Sequence, residues 1–286
     1  MKIQLLTTCN HAGWLKYGHR MVTSFANWWP KDVKLDLYCE NFKPSMPDLV
    51  GHVKILDLFK ETPQLKTFLE KYDSEKNRGY RDGQRDFRLN AITFAFKVFA
   101  QCHAIRNTSA DRLIWIDADT RTFDKPKIKA LEDMIKNNEL CAYIGRKPGT
   151  GKARLPFSET GFIQYNLKCP AIQKFAEEFE RSYVSGDIFD YEYQVDCFTF
   201  DVARRKIEKQ ENVQSHDLNV DFGKKHPFVN TVLGSFMDHL KGDERKNMGR
   251  SKLSDFKERI AEQRLDQDYW SMKGKYTKKV QLRTKK

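Results

Sequence analysis

The sequence predicts an α/β protein built on a wound β-sheet with helices on its faces. Short hydrophobic runs alternate with longer segments of helical periodicity, in the order strand, helix, strand, strand, helix, helix, strand up to residue 116. The run 113–116 is apolar at every position, which is typical of a parallel strand buried on both faces. With 286 residues, 40% of them hydrophobic, the chain can bury a sizeable core in one large domain.

Each predicted element follows from hydrophobic patterning and from the residues at its boundaries. The first strand ends in polar residues, Thr7 and Thr8, at the end of the sheet where nucleotides bind α/β folds. The first helix, 14–29, ends before Pro30 because proline cannot continue a helix. The predicted strands are 2–8, 33–38, 53–59, 113–116, 140–145 and 160–166. The predicted helices are 14–29, 89–105, 170–183 and the later part of 191–207. The segment 65–84 is predicted to be the end of a further helix followed by a mobile surface loop.

Two aspartates, Asp117 and Asp119, directly follow the apolar strand 113–116. If the strand continues with a period of two, both carboxylates lie on the same side of the chain and converge. Converging carboxylates suit Mg²⁺ or Mn²⁺, which keep open positions for substrate phosphate oxygens. The tripeptide alone is a weak signal, and a solvated turn with two charges is the alternative. The buried run before it favours a metal site at the carboxyl end of the sheet.

Two classes of enzyme place an Asp-x-Asp at the end of a buried strand. In nucleotide-sugar transferases the pair holds a metal on the donor diphosphate. In haloacid-dehalogenase-type phosphohydrolases the pair is joined to a threonine, as Asp117, Asp119 and Thr120 are here. The phosphohydrolase scheme also needs a strand ending in Ser or Thr, whereas the strand 140–145 ends in glycine. It further needs a late acidic pair after an apolar run, but the pair at 243–244 follows a glycine, so the sequence favours the transferase.

The helix 89–105 is apolar on nearly all sides, with one polar stripe that includes Lys97. That stripe either faces water or brings Lys97 to a phosphate, because the helix directly precedes the strand that carries Asp117. Arg88, immediately before the helix, is a further candidate for the nucleotide site.

Carboxylates for the acceptor side are predicted at Glu192 and Asp196, near the start of a helix. They are either partners of the helix dipole or contacts for acceptor hydroxyls. No unambiguous general base stands out, and these two carboxylates are the candidate catalytic residues on the acceptor side. The loop 145–159 is rich in glycine, proline and lysine but fails the phosphate-loop pattern, since Ala153 replaces the required hydroxyl residue. It is predicted to be a flexible basic loop suited to an acceptor or a lid.

The amino-acid composition limits the cellular compartment and the kinds of partner that the sequence predicts. Six cysteines are scattered without a C-x-x-C, which indicates reduced thiols and a cytoplasmic protein. The most apolar long segment, 89–105, contains a lysine and a histidine, so no transmembrane association is expected. The net charge is +12, and 241–286 holds 15 Lys/Arg against 7 Asp/Glu. Within it, 273–286 has 7 basic residues and no acidic one, which predicts a polyanionic partner.

Three segments, 112–123, 160–166 and HLKG at 239–242, together resemble the GT-A fold glycosyltransferases. The nearest pattern is that of the glycogenin-like and lipopolysaccharide galactosyltransferase group. The resemblance covers about residues 1–250 and implies a Rossmann-like wound mixed sheet flanked by helices, with 251–286 as a basic helical C-terminal extension.

The same resemblance assigns roles to the candidate residues. It implies that Asp117, Asp119 and His239 bind Mn²⁺ or Mg²⁺ and that Lys241 grips the donor diphosphate. A lysine on the helix before the Asp-x-Asp strand recurs in the group, which supports Lys97. The residues expected to bind the nucleotide-sugar donor, with UDP as the expected nucleotide, are Thr7, Thr8, Arg88, Lys97, Asp117, Lys241 and Gly242. The chain departs from the group after Gly242, where DERKN replaces the usual K-P-W.

The acceptor is predicted from charge and from a second resemblance. The chain is similar to soluble bacteriophage glycosyltransferases that modify hydroxymethylated pyrimidine bases, and the basic tail 273–286 suits DNA. Such an enzyme would work in the host cytoplasm. The alternative acceptor is a saccharide or lipopolysaccharide precursor, with the tail serving an anionic membrane surface. A third class, a non-catalytic nucleic-acid-binding protein, leaves the converging aspartates unexplained.

Overall fold

The computed structural model describes residues 1–44, 52–146, 157–219 and 226–256. The strands are β1 (Ile3–Asn10), β2 (Lys34–Glu40), β3 (Val53–Asp57), β4 (Tyr80–Arg81), β5 (Gln84–Arg85), β6 (Arg112–Ile116), β7 (Thr120–Thr122), β8 (Glu139–Ile144), β9 (Glu159–Asn166), β10 (Gln214–Asp217) and β11 (Met237–His239). The helices are α1 (His11–Gly13), α2 (His19–Trp28), α3 (Leu58–Glu61), α4 (Pro63–Tyr72), α5 (Ala91–Asn107), α6 (Ile128–Asp133), α7 (Ile172–Ser185), α8 (Asp196–Glu211) and α9 (Asp243–Met248). Most of the predicted loop 145–159 and most of the predicted extension 251–286 lie outside the described residues.

Seven strands form one mixed sheet in the order β10-β8-β9-β6-β1-β2-β3. Strands β3, β2, β1 and β6 pair in parallel, and β9 runs antiparallel to both of its neighbours, β6 and β8. The predicted wound α/β sheet flanked by helices is therefore confirmed. The antiparallel β9 brings its first residues to the end of the sheet where β6 finishes.

The sheet separates two hydrophobic clusters, and β6 contributes to both. Leu113 and Trp115 pack in the cluster that contains α5, whereas Ile114 and Ile116 pack in the cluster that contains α2. A strand with apolar layers on both faces needs apolar residues at every position, which explains the uninterrupted run. Among the described residues, no helix combines the length and hydrophobicity that a bilayer span requires.

A second, two-stranded sheet lies beyond the end of β6. Strand β11 pairs antiparallel with β7, with His239 opposite Thr120 and Met237 opposite Thr122. Three-residue strands are marginal alone, so this ladder depends on its neighbours, including α2, which packs against β7. Because of this pairing, His239 lies beside Asp119 although the two residues are distant in sequence.

The predicted helix 14–29 differs from the structure at its start. The helical region begins at His11, because the side chain of Asn10 accepts a hydrogen bond from the backbone nitrogen of Gly13 at 2.7 Å. The segment Trp14–Gly18 forms a π-helical turn before α2. Such turns are rare and are frequently found at functional sites.

Two further predicted boundaries are wrong. The strand predicted over 53–59 ends at Asp57, whose carboxylate caps α3 by accepting from the nitrogens of Phe59 at 3.0 Å and Lys60 at 3.2 Å. The helix end predicted within 65–84 corresponds to α4, which ends at Tyr72, but the loop predicted after it contains β4 and the start of β5. The β4–β5 hairpin is preceded by Gly79, whose φ of +86° suits glycine.

Candidate metal centre

The Asp117–Asp119 tripeptide forms a tight turn between β6 and β7. The backbone nitrogen of Asp117 donates to the carbonyl of Gly161 at 3.0 Å, and that of Thr120 donates to the carbonyl of Asp117 at 2.9 Å. The two carboxylates therefore converge across a turn, and the extended period-two geometry expected from the sequence is wrong. The side chain of Asp117 is 28% exposed and that of Asp119 is 13% exposed, so one side of the pair faces solvent.

His239 completes a set of three potential metal ligands. Its Nε2 lies 3.1 Å from Oδ1 of Asp119 and 3.6 Å from Oδ2 of Asp117. One ligand atom from each residue can be chosen such that all three lie within 4.8 Å of one another. Two carboxylates and one imidazole suit a divalent cation such as Mn²⁺ or Mg²⁺, and the solvent side leaves positions for other ligands. The three residues fit the predicted ion, whose binding remains a prediction.

Lys97 and Trp115 hold the Asp117 carboxylate in place. The Lys97 ammonium lies 2.8 Å from Oδ1 of Asp117, and the indole nitrogen of Trp115 donates to the same oxygen at 2.9 Å. Lys97 also lies 2.8 Å from Oδ2 of Asp196 and donates to the carbonyl of Thr160 at 2.6 Å. Burial alone would lower the pKa of Lys97, but Asp117 and Asp196 outweigh it, and the pKa is raised. The lysine is therefore a buried cation that neutralises two carboxylates.

Asp196 lies in this network and not on an open surface. Its side chain is 5% exposed, and the hydroxyl of Thr160 donates to Oδ2 at 2.6 Å. The structure brings together Asp196, Lys97 and Asp117, three of the predicted site residues. The predicted contacts of Lys97 with the donor and of Asp196 with the acceptor stay predictions.

Glu159, at the start of β9, is a charged residue of the site that the sequence did not indicate. Its carboxylate is 4% exposed and lies 2.6 Å from the Lys241 ammonium, in contact with the Arg146 guanidinium, and 3.6 Å from Nδ1 of His239. Burial alone would raise the pKa of Glu159, but these three basic groups hold it well below its usual range. Only the antiparallel direction of β9 brings this residue to the metal centre, and no local pattern encodes that direction.

Two lysines approach the centre from the segment after β11. Lys241, 50% exposed, pairs with Glu159, and Gly242 follows with a φ of +81° immediately before α9. Lys246, which the sequence did not indicate, lies 2.9 Å from Oδ2 of Asp119. Burial alone would raise the pKa of Asp119, but His239 and Lys246 outweigh it and lower the pKa. The centre and its surroundings therefore combine four carboxylates with an outer layer of cations.

The remaining predicted residues lie outside this cluster. The Thr7 hydroxyl is buried without a hydrogen-bond partner among the described residues, and the Thr8 hydroxyl donates to Glu40 at 2.7 Å. Arg88 is half exposed and pairs with Asp86 at 2.6 Å. Glu192 is exposed on the loop before α8. In the described part of the chain these side chains make no hydrogen bond or ion pair with the three ligands, so their functional roles stay predictions.

Fold and site together define an α/β protein with a candidate divalent-metal centre at one end of its sheet, surrounded by basic residues. No protein-family model and no curated protein sequence matches the chain.

Several solved structures are similar to the chain at low identity. Mouse xyloside xylosyltransferase 1 in its apo form is 15% identical, with a TM-score of 0.45, and the match covers 77% of this chain and 86% of that one. The WbbM bifunctional glycosyltransferase is 12% identical, with a TM-score of 0.47 and coverage of 84% and 46%. A glycosyltransferase involved in the glycosylation of the major capsid of PBCV-1 is 12% identical, with a TM-score of 0.42 and coverage of 87% and 100%. Likenesses this distant carry no functional argument.

Proposed function

We propose that the protein is a metal-dependent glycosyltransferase that uses a nucleotide-sugar donor, with UDP as the nucleotide. The observation that carries the proposal is the meeting of Asp117, Asp119 and His239 in one potential ligand shell at the carboxyl end of a parallel strand. These are the residues to which the sequence resemblance assigns the metal. The end of the sheet where they lie is also where α/β folds bind nucleotides.

The charges around the centre suit departure of a diphosphate. Breaking a sugar–phosphate bond develops negative charge on the leaving group, and pre-placed cations stabilise that charge in the transition state. When bound, a divalent cation supplies part of this stabilisation. Lys241 is half exposed, so its ammonium is accessible to a phosphate oxygen from the solvent side. Lys246, beside Asp119, is placed to contribute a second positive charge.

For the acceptor we propose a hydroxymethylated pyrimidine base in phage DNA, modified in the host cytoplasm. The support is the sequence charge, since 241–286 carries 15 basic and 7 acidic residues. Such an excess favours a polyanion. The alternative acceptor is a saccharide or lipopolysaccharide precursor.

The decisive experiment is a screen of nucleotide sugars for hydrolysis and transfer in the presence of Mn²⁺, Mg²⁺ or EDTA. We expect activity with a UDP-sugar and metal only, because the aspartates alone repel the donor diphosphate. Asp117→Asn and Asp119→Asn should each lower turnover by about a hundredfold, the scale of losing a key electrostatic stabiliser. Asp133→Asn is the matched control, because Asp133 is 60% exposed on α6 and, in the described part of the chain, its ion pair is with Lys129, which is itself exposed.

Full activity in excess EDTA would contradict the proposal. Release of phosphate from simple esters, restored by Mg²⁺ after chelation, would instead support the phosphohydrolase alternative.

A further inference from the structure

The two ring nitrogens of His239 face different groups. Nε2 lies 3.1 Å from Oδ1 of Asp119 and 3.6 Å from Oδ2 of Asp117, where the metal is proposed to bind. Nδ1 is buried on the opposite side of the ring and has no hydrogen bond among the described residues. The ionisable group that it faces is Glu159, whose Oε1 lies 3.6 Å away. A neutral imidazole carries one proton, so whichever nitrogen holds it decides whether Nε2 can bind a metal.

The two oxygens of Glu159 have separate partners. Oε2 receives the Lys241 ammonium at 2.6 Å and also contacts the Arg146 guanidinium. The other oxygen, Oε1, faces Nδ1 of His239. Because two cations offset its charge, Glu159 can remain an anion although its side chain is only 4% exposed. It is therefore a hydrogen-bond acceptor that cannot donate, held next to an imidazole nitrogen that has no other partner.

The position of the imidazole ring is set by β9 as well. A Cβ atom on Gly161 would lie 2.6 Å from Cε1 and 2.7 Å from Nδ1 of His239, so the ring rests against a strand position that has no side chain. Glu159 and Gly161 belong to the same strand, and Glu159 pairs with Ile144 of β8. The carboxylate and the surface under the ring are thus carried by one rigid element.

We propose that Glu159 is a positioning residue for His239: it accepts a hydrogen bond from Nδ1–H and thereby directs the unprotonated Nε2 toward Asp117 and Asp119. This rests on the metal centre of the proposed function. A shortening of about 0.5 Å brings the Nδ1–Oε1 pair into hydrogen-bond range. Carboxylate partners of metal-binding histidines fix the tautomer, and losing one typically costs about 10–100-fold in metal affinity.

The first test reads the hydrogen bond directly, in protein saturated with Mg²⁺, because without a cation Nε2 must itself donate a proton to the Asp119 carboxylate 3.1 Å away. Nitrogen-15 and proton NMR of His239 should show Nδ1 protonated in the wild type, with the Nδ1–H proton at the low field and slow exchange typical of a hydrogen bond. Glu159→Met, which removes the acceptor at similar volume, should move that proton upfield and speed its exchange with water. Asp201→Asn is the matched control: Asp201 is a buried carboxylate of α8 that accepts from the Ser158 hydroxyl at 2.6 Å, and its loss should leave the Nδ1–H signal unchanged. A wild-type Nδ1–H signal without these features, or no change in Glu159→Met, would overturn the proposal.

The second test measures Mn²⁺ affinity by electron paramagnetic resonance. Glu159→Met should bind Mn²⁺ about 10–100-fold more weakly. Glu159→Gln, whose amide oxygen still accepts from Nδ1–H, should keep the Nδ1–H hydrogen bond and lose less affinity. If Glu159→Gln loses as much affinity as Glu159→Met and also loses the hydrogen bond, the result agrees with loss of positioning. If it loses as much affinity with the hydrogen bond intact, charge and not positioning is responsible, and the proposal fails.

Loss of a buried anion beside two cations can prevent folding of Glu159→Met. Glu159→Asp then serves in its place, because it keeps the charge and draws the carboxylate back from Nδ1 by one methylene. It should show the same change in the Nδ1–H signal and the same direction in Mn²⁺ affinity, and wild-type behaviour of both would overturn the proposal. A wild type that binds neither Mn²⁺ nor Mg²⁺ contradicts the proposed function, whereas a wild type that binds them without the Nδ1–H hydrogen bond contradicts the positioning role alone.

Discussion

His239 and Lys241 are two residues apart, yet their side chains contact different groups. Nε2 of His239 faces the two aspartates, whereas the Lys241 ammonium lies 2.6 Å from Oε2 of Glu159. We expect His239→Ala to lower metal affinity by at least about a hundredfold, since even partners of a ligand are worth about 10–100-fold. Lys241→Ala should leave metal affinity nearly unchanged, because Arg146 still contacts the Glu159 carboxylate, and it should weaken donor binding. Titrations of Mn²⁺ and of donor against each variant test this, and wild-type behaviour of both variants would make the 236–242 segment purely structural.

Gly161 provides a prediction about packing against the site. A methyl group there would meet the His239 ring at 2.6 Å, closer than real contacts allow, so Gly161→Ala must displace the imidazole. We expect a clear loss of Mn²⁺ affinity in a protein that still folds. Gly83→Ala is the control, because Gly83 has open space but a φ of +74°, so it costs about 1 kcal/mol of stability without touching the site. Equal metal affinity in Gly161→Ala and the wild type would show that the ring is not confined there.

At the scale of single residues, the sequence indicates the site in part. Asp117 and Asp119 can be predicted because they directly follow an apolar strand. His239 can be predicted because the segment 239–242 resembles the glycosyltransferase pattern. Glu159 and Lys246 are not found, because their proximity depends on the direction of β9 and the position of α9. Contacts that form only through tertiary packing produce no periodic pattern in the sequence.

At the scale of elements, the short β7–β11 ladder carries His239 and needs support from outside. Asp238, fully buried in β11, accepts from the Ser251 nitrogen at 2.9 Å and from the Ser251 hydroxyl. Asp238→Ala leaves buried donors unpaired, so we expect a loss of about 2–3 kcal/mol in the free energy of unfolding. Asp243→Ala, which removes an 80% exposed carboxylate, should change it by less than about 0.5 kcal/mol. Chemical denaturation followed by fluorescence checks both, and equal stability of the two variants would contradict the supporting role.

Helices and strands are predicted correctly where the hydrophobic pattern is regular. The prediction fails where a capping side chain or a position at the sheet edge determines the structure. The strand 113–116 and the helix 89–105 are recovered within a few residues as β6 and α5. Strand β10 is missed because its QSHD sequence is polar and it lies at the sheet edge. Edge strands pair on one side only, so they need no apolar pattern.

At the scale of the whole molecule, charge distribution separates the donor site from the predicted acceptor contact. The ligands lie at the end of β6, while the strongest basic excess is in 273–286, with 7 basic residues and no acidic one. The tail lies outside the described residues, so its role rests on sequence alone. If the tail serves the acceptor only, removing it should leave chemistry at the metal centre intact.

The last prediction uses that separation. Each phosphate neutralised by a basic residue releases counterions, so log affinity for duplex DNA should fall with log salt by about 0.9 per contact. Deleting 273–286 removes 7 positive charges, and the slope should therefore decrease by at most about 6. Metal-dependent hydrolysis of the donor should not change.

Fluorescence anisotropy of a labelled duplex across a salt series makes the measurement. The matched control is a full-length variant with glutamine at those 7 positions, which keeps the length and should behave like the deletion. Because such contacts position the duplex without selecting bases, the loss should be similar for different sequences. No binding by the wild type at low salt, or binding that is indifferent to both variants, would favour the saccharide acceptor over DNA.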